Sequence, residues 1–244
     1  MKKTLLLVFA LIAGIYAMGQ TRTKAPDRVL IFSKTAGFRH ASIKDGIAAI
    51  QKLGLENNFA VDTTENPALF TESNLRKYKA LIFLSPTGAN LFNEDQKEAF
   101  KKYINNGGGF VGIHGATDCN FEWEWYGKLV GGYFKNHPKI QEARLDVVNR
   151  KHPSTRKLPA VWQRTDEWYN FKNLNKDVKV LITIDESSYK GGENGSFHPV
   201  SWYHEFDGGK AFYTALGHTS ESYSDELFLS HLIGGINYAM GRKK

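Results

Sequence analysis

An α/β domain with a mostly parallel central sheet, covered on both faces by helices, is the fold class this 244-residue sequence predicts. Three observations carry it. Between Arg28 and Gly115, short apolar runs alternate with segments of helical spacing. The runs are unbroken rather than alternating apolar and polar, as expected of strands buried on both faces. Glycines and prolines punctuate the joins, at Gly54, Pro86 and Gly107 to Gly109.

"RVLIFSK" (28–34), apolar and rich in branched residues, reads as the first strand. Ile43, Ile47 and Ile50 then recur at helical spacing. Ser42 is placed to cap that helix, Asp45 three residues later resembles a capping box, and Gly54 ends the run. "NNFAVDTTEN" (57–66) is a second strand, and "TESNLRKY" a short helix with Thr71 as cap. "KALIFLSP" is a third strand, stopped by Pro86. "NEDQKEAFKKYINNGGG" carries acids in its first turn and lysines later, matching the helix dipole. "FVGIHG" (110–115) is the fourth strand. Ligands of such sheets sit outside the carboxyl ends of the strands. Loops 35–42, 62–67, 85–93 and 114–121 should therefore converge.

The second half predicts strands in "QEARLDVVNRKHP", "VWQRTDEWYNF", "VKVLITIDESS" and "HPVSWYHEFDGGKAFYTALGH", with a hairpin turn at "FDGGK". A closing helix, capped at Ser224, carries a core stripe of Phe228, Leu232 and Ile236. No linker divides the chain, so one domain with a mixed sheet is expected over 28–240.

The first 19 residues read as a signal peptide: a basic tip, an apolar stretch from Leu5 to Ala17, then "AMG" before Gln20. That stretch falls short of the roughly 20 residues a spanning helix needs. The sequence thus predicts a periplasmic or secreted protein with no stable membrane insertion after cleavage. One cysteine cannot form an internal disulfide. The net charge of +7 is spread among acids with no dense basic run, so nucleic acid is not an expected partner.

The chemistry centres on His114, at the tip of a strand–turn between Gly112 and Gly115. α/β proteins of the amidotransferase type carry a nucleophilic cysteine there. Histidine is a poor acyl nucleophile but a good acid, base or metal ligand. Cys119, five residues on, reads as a small buried hydrophobe. His40 and Arg39 end the first strand and should face the same crevice. His204 and His218 flank the hairpin, and "TDEWYNF" supplies Asp166, Glu167, Trp168 and Tyr169. The expected catalytic groups are His114, Glu167, His204 and His218. The expected substrate-binding groups are Arg39, His40, Asp118, Trp168, Tyr169 and Trp202. Aromatic faces beside acids and amides suit a sugar ring, so a small carbohydrate is the expected ligand. A divalent metal on His114, His204, His218 and Glu167 is an alternative use of the same groups, without a local motif such as HExxH. His137 and His152, each before proline, read as turn residues, and His231 as structural.

"SKTAGFRHASI", "GGGFVGIHGATD", "GGYFKNHP", His152–Pro153, "TDEWYNF" and "VSWYHEFDGGKAFYTALGH", in this order, resemble the ThuA-like family, named for trehalose utilisation. The likeness implies a relative of the class I glutamine amidotransferases, with a flavodoxin-like three-layer sandwich. Histidine at the turn implies that the chain is not a glutaminase. The likeness also implies carbohydrate catabolism, near sugar oxidoreductases and linked to keto-sugars. The expectation is an exported protein acting on a sugar or keto-sugar derivative by histidine and acid chemistry, as a hydrolase, lyase or isomerase. A non-catalytic carbohydrate-binding module is the alternative.

Overall fold

The computed structural model describes residues 25–242, so the leader expected at 1–19 lies outside the described residues. The amino-terminal half runs β1 (Asp27–Phe32), α1 (Ile43–Glu56), β2 (Phe59–Thr64), α2 (Glu72–Leu75), β3 (Ala80–Leu84), α3 (Glu94–Asn105) and β4 (Gly109–Ile113). It continues with α4 (Glu124–Val130), β5 (Tyr133–Asn136), β6 (Gln141–Val147), β7 (Val161–Asp166), β8 (Asn170–Lys172) and β9 (Lys179–Ile184). The hairpin β10 (His198–Phe206) and β11 (Gly209–Thr214) and the helix α5 (Glu226–Ala239) complete it.

Nine strands form one sheet in the order β2-β1-β3-β4-β11-β10-β9-β6-β7. The first five are parallel, and β10, β9, β6 and β7 extend them antiparallel. Sequence explains the division. Every residue of β3 and β4 is buried, as a strand covered on both faces requires. β7 instead alternates exposed and buried, and so keeps one face in water. α1 and α5 touch each other on one face, while α2 and α3 pack together on the other, giving the three-layer sandwich. Phe83, Phe100 and Phe110 fill the α3 side with ring centroids 5.1–6.2 Å apart. No helix among the described residues is long and apolar enough to cross a membrane.

Local signals are met in part. Asn93 and Gln96 form a full capping box on α3, and Thr71 caps α2. The β10–β11 turn takes positive φ at both Asp207 and Gly208, the conformation that matches strand twist. Ser42 does not cap α1: its buried hydroxyl donates to the Gly217 carbonyl, 3.3 Å away. α5 is capped by Asp225, not Ser224, because Ser220–Ser224 forms a turn of 3₁₀ helix first. The Asp225 carboxylate accepts from the Phe228 amide at 2.9 Å.

Candidate functional site

β4 runs buried to Ile113 and turns at His114, which itself takes φ +47, the left-handed region. The strain expected at glycine thus falls on the histidine. The Tyr213 hydroxyl holds the turn by donating to the His114 carbonyl at 3.0 Å. Gly115 is needed for space: a Cβ there would lie 3.1 Å from Ser85 Cα and 3.2 Å from the Pro86 oxygen. The His114 ring is fully buried, and its Nδ1 lies 2.7 Å from the Ala215 carbonyl oxygen. A carbonyl only accepts, so Nδ1 carries the hydrogen and Nε2 of the neutral ring presents a lone pair. That Nε2 lies 3.0 Å from His218 Nδ1 and 3.4 Å from Glu167 Oε2.

Asp166 brings these groups together. It ends β7 at the far edge of the sheet, yet accepts from the backbone amides of Gly217 (3.0 Å) and His218 (3.1 Å) after β11. The antiparallel extension therefore folds back over the carboxyl ends of the parallel strands. A β-bulge at Pro199–Trp202, a feature that bends a strand, lies in that extension. Arg164, buried beneath, pairs with Asp166 at 3.2 Å and Asp225 at 3.1 Å. The next residue, Glu167, is thereby fixed between three imidazoles. Its Oε2 lies 3.0 Å from His218 Nδ1, and its Oε1 lies 3.0 Å from His137 Nδ1. His40, after β1, sets its ring edge-on to His114 and His218 at 4.7 and 5.1 Å, and its buried Nδ1 has no hydrogen-bond partner. One ligand atom from each of His40, His114, Glu167 and His218 lies within 4.8 Å of the other three.

Burial alone would raise the Glu167 carboxyl, but the imidazoles of His114 and His218 beside it outweigh that and hold the group below the usual carboxylate range. Burial lowers the His40 imidazole to about 3, with His114 and His218 adding to the effect, so the ring is neutral at pH 7. Burial raises half-buried Asp118 to about 6, against the opposing pull of His137. It also pushes the Cys119 thiol up to about 12, against hydrogen bonds that partly offset it. Cys119 is therefore an inert packing residue, 3.3 Å from the Tyr126 hydroxyl.

Of the residues the sequence nominated, His114, His218, Glu167 and His40 meet, and Tyr169 packs on His114 at 4.3 Å between ring centroids. His204 does not join them. It pairs with Ala211 on β11, three residues before that strand's carboxyl end, and its Nε2 bonds the Lys128 carbonyl at 3.0 Å. β10 runs antiparallel, which carries its last residues away from the site. Trp202 and Trp168 are fully buried, with ring N–H groups donating 2.8 Å bonds to the carbonyls of Val130 and Gln141, so neither faces a ligand. Arg39 is exposed and paired with Glu65 at 2.7 Å. Two residues were missed. His137, read as a turn residue, bonds the Pro138 carbonyl at 2.9 Å and sets the same nitrogen 3.0 Å from Glu167, and its "KNHP" setting was a visible signal. Phe38 stands 65 % exposed with its ring 4.9 Å from that of His40, an open aromatic face at the cluster.

A family model described as "ThuA: Trehalose utilisation" matches residues 28–239. Among solved structures, a ThuA-like protein from Bacteroides uniformis is 26 % identical with a TM-score of 0.74, covering 89 % of this chain and 93 % of that one. A second, from Parabacteroides merdae, is 19 % identical with a TM-score of 0.72, covering 91 % and 93 %. A glutamine amidotransferase from Thermotoga maritima shares the fold at 15 % identity and a TM-score of 0.51, covering 88 % and 98 %. No curated protein matches the chain.

Proposed function

The chain belongs to the ThuA, or trehalose utilisation, family, and from that premise we propose that it acts on a sugar or keto-sugar derivative by acid–base chemistry at the His114 cleft. Family membership supports the carbohydrate-related role. The observation that carries the chemistry is the meeting of His40, His114, His218 and Glu167 where the loops after β1, β4, β7 and β11 converge.

The exposed face of Phe38 suits the C–H face of a sugar ring. A keto oxygen seated at the cluster would have its developing negative charge met by an N–H of His40, whose Nδ1 has no other hydrogen-bond partner. Asp118, half-buried on the His114 loop and raised to about 6, is the base this reading assigns: it would take a proton from the carbon beside that carbonyl and return it later. The carboxylate is the base, so turnover should rise as pH rises through about 6. Asp118→Asn should lower kcat by about 10²–10⁴-fold and abolish that limb. A pH–rate profile of wild type and variant checks this, and an unchanged limb in the variant would remove Asp118 from the role. Saturable sugar binding by the wild type without turnover would instead favour the binding-module reading, which Phe38 would serve equally.

Export forms part of the proposal, resting on the basic, apolar and small-residue pattern of residues 1–19. The mature protein should begin at Gln20 in the extracytoplasmic fraction. Intact mass spectrometry finding Met1 on soluble cytoplasmic protein would overturn it.

A further inference from the structure

We propose that His40, His114, His218 and Glu167 together hold one divalent transition-metal ion of the zinc type. Three of the ligand atoms already stand at coordination spacing. His114 Nε2, His218 Nδ1 and Glu167 Oε2 form a triangle with edges of 3.0, 3.0 and 3.4 Å. Such a triangle has a circumradius of about 1.8 Å, shorter than the roughly 2.0–2.1 Å of a zinc–nitrogen bond. A point at bonding distance from all three therefore exists just off their plane. His40 brings a fourth ligand atom within 4.8 Å of these, from a ring that is 4 % exposed and has an unpartnered Nδ1. The ligand set read from the sequence placed His204 in this role, and the fold puts His40 there instead.

Hydrogen count points the same way. His114 Nδ1 spends its hydrogen on the Ala215 carbonyl, so its Nε2 offers only a lone pair while the ring is neutral. Glu167 Oε2 likewise only accepts. These two acceptors face each other at 3.4 Å, with His218 Nδ1 within 3.0 Å of both. A single His218 N–H would have to be shared between the two, whereas one positive centre, with His218 Nδ1 offering its lone pair, satisfies all three atoms. The surroundings also match what metal-binding imidazoles require. The ring N–H of His114 is fixed by a buried carbonyl, and the second oxygen of Glu167 lies 3.0 Å from His137 Nδ1, which also lies 2.9 Å from the Pro138 carbonyl oxygen. Three imidazoles and one carboxylate select zinc, cobalt or a similar ion over magnesium or calcium, which prefer all-oxygen shells. Expansion to five ligands admits one water or sugar oxygen. The bound ion would then supply the positive charge that a keto oxygen meets.

Metal binding needs no substrate, so it can fail while the acid–base reading stands, and the reverse. Full-length protein stripped with a chelator is titrated with Zn²⁺, Co²⁺ and Mg²⁺ by calorimetry, with Co²⁺ also followed by visible absorption. The expected result is one equivalent of Zn²⁺ bound at about micromolar Kd or tighter. Co²⁺ should give a four- or five-coordinate spectrum, and Mg²⁺ should not bind. His218→Ala and Glu167→Gln, each first shown to melt cooperatively, should weaken Zn²⁺ by about 100-fold or more, and His204→Gln should not. A folded wild type that binds no Zn²⁺ or Co²⁺, or a folded His218→Ala that binds as the wild type does, would overturn the proposal. The cluster would then be held by protons alone.

Discussion

Asp166→Ala is expected to lower the unfolding free energy by about 3–5 kcal/mol, the cost of breaking a buried ion pair by removing one partner. Asp166 is fully buried and satisfies Arg164 together with the amides of Glu167, Gly217 and His218. Alanine leaves the three amides without this acceptor and Arg164 with only Asp225 and Ser222. Arg164 keeps Asp225 at 3.1 Å, a partner 35 % exposed, which argues for the lower end of the range. For a domain of this size each kcal/mol moves Tm by about 2–4 °C, so a fall of at least about 6 °C should appear in a thermal melt. The loop carrying His218 should loosen as well, because two of its amides lose their acceptor. A melt within a degree or two of wild type would show that the fold-back of β7 is not held by this carboxylate.

Glu167→Gln is expected to act on function with a much smaller effect on stability. The substitution keeps shape and removes a charge whose burial is unfavourable by itself. It also removes the carboxylate charge that stands among His114, His218 and His137, at 3.4, 3.0 and 3.0 Å. The kcat/KM for a keto-sugar substrate should fall by about 10²–10⁴-fold, the span typical of a lost acid–base group. Parallel melts and rate measurements separate the two variants. Asp166→Ala loses stability first, and Glu167→Gln loses turnover first. A Glu167→Gln protein with full turnover would contradict the role given to the cluster.

Much of this was legible in the sequence because it rests on local physics. The unbroken runs of β3 and β4 announce strands buried on both faces. Asp207–Gly208 announces a tight hairpin, and His114 between two glycines announces a turn. Long-range geometry was not legible. Ser42 has the residue type and spacing of a helix cap, yet a carbonyl 175 residues away claims its hydroxyl. His204 and His218 flank the hairpin in sequence, but β10 and β11 run in opposite directions. His204 stays opposite Ala211 within the hairpin, while His218 follows β11 out past its carboxyl end. Asp166 looked like one more acid in "TDEWYNF". Its part as the clamp between β7 and the His218 loop exists only once the antiparallel extension folds back. Trp168 and Trp202 have the chemistry of a sugar platform but are spent on the core, whereas the exposed ring is Phe38.

The most direct test of the central account is proton exchange in D₂O. Purified wild type, Asp118→Asn and Glu167→Gln are incubated with a panel of keto-glycosides and keto-disaccharides and followed by NMR. The signal read is deuterium entering the carbon beside the carbonyl, together with any product. Because exchange registers the proton transfer itself, it reports even where a later step is slow. Exchange or turnover by the wild type with at least one keto-sugar is expected, and its loss in both variants. A wild-type protein that binds these sugars saturably yet exchanges no proton and forms no product would contradict it.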